Sequence, residues 1–80
     1  MEKSNFYIRE IIRCLLDGKI HSTREIAEVI NLSEKATRNK LEQVEYYLKE
    51  LELGSIEKKP RVGVWLETGE EQKKQLQEWI

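Results

Sequence analysis

Eighty residues, 39% hydrophobic and 36% charged, make one small domain with a modest core and a heavily charged surface. A net charge of −1 excludes a protein that coats nucleic acid over its whole surface but leaves room for a local basic face. No apolar run approaches the ~18 residues of a membrane span, and no signal-peptide block opens the chain. The single cysteine, Cys14, rules out an internal disulfide and suits a reducing compartment, so the cytoplasm is the expected location.

NFYIREIIRCLLDG reads as a first helix, with Ile8, Ile11, Ile12, Leu15 and Leu16 repeating as one buried stripe. Ser4 or Asn5 is expected to cap its start, and Asp17-Gly18 to stop it. His21 falls in the following turn, with no carboxylate placed by sequence to orient it, and reads as a turn residue. Ser22 with Glu25 three residues on is a capping-box pattern, so a short helix begins at Thr23. Ile26, Ala27 and Ile30 form its inner face. Asn31 tolerates left-handed angles and turns the chain, Leu32 plugs the turn, and Ser33 caps the next helix.

That third helix, residues 33–51, is built as two objects. Thr37, Leu41, Val44, Leu48 and Leu51 fall on one side at 100° per residue. Lys35, Ala36, Asn39, Glu42 and Gln43 fall opposite, with Arg38 and Lys40 flanking the stripe. The outward face is basic only over its first two turns and then acidic, through Glu42, Glu45 and Glu50. Tyr46 and Tyr47 are expected to border the core.

LGSIEKKPRVGVWLETG reads as a β-hairpin with Ile56, Val64 and Leu66 inward and Trp65 out of phase. Its loop, 58–63, carries Lys58, Lys59 and Arg61. EEQKKQLQEWI reads as a short terminal helix, with acids at its start as the helix dipole favours. Its Leu76, Trp79 and Ile80 find no obvious place in so small a core, which suggests that a partner or a continuation of the chain covers them. The expected division is therefore residues 1–69 as one domain and 70–80 as a short helix leading into a following domain of a longer parent.

Helix, short helix, tight turn, longer helix and basic hairpin is the order of a winged helix-turn-helix. The expected fold class is mainly α with a small β-hairpin: a three-helix core, a two-stranded wing and a short C-terminal helix. STREIAEVINLSEKATRNKLEQVEYYLKEL followed by IEKKPRVGVWLETGEEQKK resembles the N-terminal helix-turn-helix of Mga-type and PTS-regulation-domain (PRD) transcriptional regulators of bacteria. The resemblance spans residues 5 to 75 or so. Its most specific part is the hairpin, where a Lys-Pro pair and a glycine precede an apolar strand and a terminal glycine. It implies a DNA-binding module at the start of a longer, usually dimeric regulator of sugar-uptake or virulence genes. The isolated domain is then expected to be monomeric or weakly dimeric. The chain departs from the family where Ala36 replaces a threonine hydroxyl and Asn39 stands where arginine is common.

The third helix is expected to enter the major groove of double-stranded DNA with Lys35, Ala36 and Asn39 nearest the base edges. Ser22, Thr23, Arg24, Ser33, Arg38 and Lys40 are expected on phosphates, and Lys58, Lys59 and Arg61 form the wing contact. The alternative is a winged-helix module that docks proteins and has lost DNA, which the net acidity, Ala36, Trp65 and Trp79 favour. RNA is disfavoured because no aromatic pair of the kind that stacks bases lies on a strand. No CxxC, HxxxH or glycine-rich phosphate loop occurs. Neither an enzyme, a metal site nor a cofactor is expected.

Overall fold

The computed structural model describes residues 3–80, with side chains from Phe6 onward. Four helices and one antiparallel hairpin follow in the order α1 (Lys3–Leu15), α2 (Thr23–Ile30), α3 (Glu34–Leu51), β1 (Ser55–Lys59), β2 (Gly63–Glu67) and α4 (Glu70–Trp79). α1 already includes Ser4 and Asn5, so neither can be the residue outside its start; their side chains lie outside the described set. Gly18, at φ 75°, ends the turn that follows α1.

The caps expected for the next two helices are present atom by atom. Ser22 Oγ accepts from the Glu25 amide at 3.0 Å while Glu25 Oε1 lies 3.5 Å from the Ser22 amide. Asn31 is left-handed at φ 58°, and the Leu32 amide closes back on the Ala27 carbonyl. Ser33 Oγ accepts from the Ala36 amide at 3.1 Å. Only residues 31–33 separate α2 from α3, so the two helices cross closely, and the small, buried Ala27 permits the approach.

The core draws Ile8, Ile11, Ile12 and Leu15 from α1, Ile26 and Ile30 from α2, and Leu41, Val44 and Leu48 from α3. Thr37 is wholly buried with them. Its hydroxyl donates to the Ser33 carbonyl at 2.8 Å, which satisfies the one polar group on the stripe. Leu51 departs from the expected stripe and is 44% exposed. The helix stops there, Glu52 turns left-handed at φ 56°, and the buried Leu53 takes the apolar place beneath the last turn.

In the hairpin Ile56 opposes Leu66 and Lys58 opposes Val64 on the inner face, while Glu57 opposes Trp65 on the outer one. Ile56 and Val64 are buried, whereas Leu66 is only half-buried at the core margin. Trp65 lies on the outer face as expected. Its indole N–H donates to Glu67 Oε1 at 2.7 Å along its own strand.

α4 overturns the expectation that its apolar residues lack a place. Leu76 is fully buried and belongs to the same core as the other helices. Trp79 stacks on Tyr47 at 5.2 Å between ring centres, and the Arg9 guanidinium lies 5.4 Å from the Trp79 ring centre. The start of α4 is tied down by Gln72, whose amide donates to the Glu52 carbonyl at 2.7 Å. Among the described residues no helix is long and apolar enough to cross a membrane.

Candidate nucleic-acid interface

The start of α2, one flank of α3 and the hairpin loop enclose an open groove of about 530 Å³. Ser22 and Thr23 form one wall, Arg38 and Glu42 another, and Lys58 through Gly63 the third, with Leu41 and Val64 on the floor. Three segments distant in sequence thus enclose one concavity, and two of them, α3 and the hairpin loop, bring four cations to it, Arg38, Lys58, Lys59 and Arg61.

What holds the loop there is a backbone bridge that sequence reasoning missed. The His21 amide donates to the Val64 carbonyl at 2.8 Å, and the Val64 amide donates to the His21 carbonyl at 2.7 Å. The residue just before the α2 cap is therefore a one-residue third strand beside β2. Gly63 makes the approach possible. At φ 134° a Cβ placed on it would lie 2.6 Å from the His21 carbonyl oxygen and 2.8 Å from Ile20 Cγ2.

His21 is also oriented through its ring, contrary to the expectation of a turn residue with no carboxylate. Nε2 sits 2.8 Å from Asp17 Oδ2, and Nδ1 3.5 Å from Glu25 Oε2. A carboxylate only accepts, so Nε2 carries the hydrogen in the Asp17 pair. The Lys19 amide, donating at 2.8 Å, and after it the His21 contact hold the Asp17 carboxyl below its ordinary range. The Asp17 contact gives no signal in sequence, because the chain between Asp17 and His21 is a turn and not a helix. Burial, and after it the negative charges of Asp17 and Glu25, pushes the Cys14 thiol up, so it stays protonated at neutral pH and is a poor nucleophile. Among the described residues no group of three or more His, Cys, Asp or Glu side chains is placed to hold a metal ion.

At the loop tip the Val62 amide donates to the Lys59 carbonyl at 3.0 Å. Pro60 and then Arg61, the latter at φ 66°, occupy the two central positions, the pattern of a type II turn with arginine where glycine is favoured. Lys58, on the inner face, reaches Glu45 of α3 at 3.7 Å. Lys59 and Arg61 are exposed.

The remaining residues singled out from sequence scatter around this groove. Lys35 and Asn39 are exposed on the outer face of α3 and do not line it. Asn39 instead borders a more open depression with Gln43, Tyr46, Tyr47 and Glu42, the last of which lies between the two concavities and lines both. Ala36 is half-buried rather than outward. Lys40 lies on the opposite flank of α3 from Arg38, with its ammonium 5.4 Å from the Tyr7 ring centre. Arg24 pairs loosely with Glu28 at 3.7 Å, both well exposed. Ser22 and Ser33 are engaged as caps. The chain matches no family model, no curated protein and no solved structure.

Proposed function

We propose that this chain binds double-stranded DNA as a winged helix-turn-helix module, with α3 as the helix that enters the major groove and the Lys58–Gly63 loop as the wing. The observation that carries the reading is the convergence of Arg38, Lys58, Lys59 and Arg61 with the α2 start around one open groove. Phosphates suit such a site because the cations of two walls can each neutralise one, and the amides at the α2 start give the third wall partial charge of the same sign. The resemblance to Mga-type and PRD regulators supports the same reading and adds a bacterial transcriptional regulator, paired as a homodimer in a longer parent, working in the cytoplasm. Pairing would extend the short sequence that one small module can read.

The test is fluorescence anisotropy of mixed-sequence duplex DNA over a salt series. Neutralising roughly four to six phosphates gives a log–log slope of about −4 to −5. Arg38→Ala/Lys59→Ala/Arg61→Ala, with its helix content checked by circular dichroism, should flatten that slope. A flat, undetectable titration at low salt for the wild type would sink the reading.

A second reading is favoured by one observation. Tyr46, 67% exposed, and Asn39, Gln43 and Tyr47 make a depression on the outer face of α3 that a protein partner could fill. On that reading Tyr46→Ala would abolish association with a partner while leaving the groove intact.

A further inference from the structure

The groove holds one residue of the wrong sign for a phosphate site. Glu42 lines it beside four cations, and it is the one carboxylate among the lining side chains. It is exposed, and among the described residues no cation lies within ion-pair distance of it. Arg38 stands one turn earlier on the same flank yet does not pair with it, in keeping with the weaker order of an i, i+4 couple that puts the cation first. Lys58, on the facing wall, lies 3.7 Å from Glu45 and is not within ion-pair distance of Glu42. The carboxylate is thus not spent on the fold. Beside a sugar–phosphate backbone it would be repelled. One feature of a duplex gains from it: an amino group on a base edge in the major groove.

We infer that Glu42 is the specificity-determining residue of this groove and accepts a hydrogen bond from the N4 amino group of a cytosine. The inference rests on the DNA-binding reading above. Arg38 and Glu42 are about 6 Å apart along the helix axis, the span of roughly two base-pair steps. A donor fork and an acceptor on one flank therefore meet neighbouring base pairs, with Arg38 free to reach a guanine or a flanking phosphate.

The experiment is selection from a randomised duplex pool by the wild type, Glu42→Ala and Glu42→Gln in parallel, with anisotropy across salt for each on mixed-sequence duplex. The wild type is expected to enrich cytosine at one position by roughly 5- to 100-fold. Glu42→Ala should lose that preference, and Glu42→Gln should move it to adenine, which pairs with an amide through two hydrogen bonds. The salt slope should be the same for all three, because Glu42 touches no phosphate. A cytosine preference that survives Glu42→Ala overturns the assignment, as does uniformly tighter binding with no position relaxed. Salt-dependent binding by a wild type that selects no base overturns Glu42 and leaves DNA binding standing. No binding by any form removes both.

Discussion

Arg61 holds a left-handed backbone at the tip of the hairpin, where glycine would be unstrained. The cost is tolerable if the guanidinium is needed at that tip, since strain of this kind collects where side chains act on something else. Arg61→Gly is therefore expected to raise stability in urea by up to about 1 kcal/mol while weakening DNA binding, a split that a purely structural arginine could not produce. Gly63→Ala should do the reverse of the first effect, because its Cβ would meet the His21 carbonyl at 2.6 Å. A loss of about 1–3 kcal/mol, read by denaturant midpoint, is expected. Asp17 adds a pH dependence of known sign. Its folded carboxyl is held below its ordinary value, so the stabilisation is complete above that value and disappears as pH falls through the lowered one. In Asp17→Asn the melting temperature should lose part of its fall in the acid range, and at neutral pH the variant should melt lower. At this scale the caps of α2 and α3 and the left-handed Asn31 were legible because their partners lie within three or four residues. The His21–Val64 bridge and the His21–Asp17 pair were not, since both depend on where a turn places atoms.

Helix and strand positions were readable from hydrophobic period, and α2, α3 and the hairpin fall close to where the spacing put them. The failure concerns α4. A ten-residue helix with one fully buried side chain looks unanchored in sequence, and only the packed core shows the gap that Leu76 fills. Leu76→Ala is expected to cost about 2–5 kcal/mol in chemical unfolding, far more than an appended helix with no place in the core would. Leu51 failed for the complementary reason. Periodicity continues to the last helical residue, but the left-handed Glu52 hands the apolar position to Leu53. α3 itself serves three neighbours with three sides: core residues inward, Arg38 and Glu42 toward the hairpin, Lys40 and Tyr47 toward α1 and α4. The wheel foresaw the first side and the separation of Arg38 from Lys40. It could not tell which flank would meet the loop.

Over the whole molecule the net charge is nearly zero, yet cations gather at the groove end while carboxylates dominate the far turns of α3, the base of the hairpin and the start of α4. Such segregation gives a small acidic protein a directional field. Association with DNA should then slow with added salt in stopped-flow measurements, and more steeply than for Lys59→Ala/Arg61→Ala. Equal salt dependence in both would show that the loop cations take no part in steering.

The hairpin has a consequence for solubility as well. β2 is flanked by β1 on one side and by His21 on the other, but β1 has no strand along its outer edge among the described residues. Unpaired edges recruit further strands from other molecules, and charged side chains with a nearby proline are a common defence. Glu57, Lys58, Lys59 and Pro60 supply that defence here. The lysines proposed to meet phosphate thus also keep copies of the chain apart. Lys58→Val/Lys59→Val should therefore sediment as a concentration-dependent mixture of species, even in the absence of DNA.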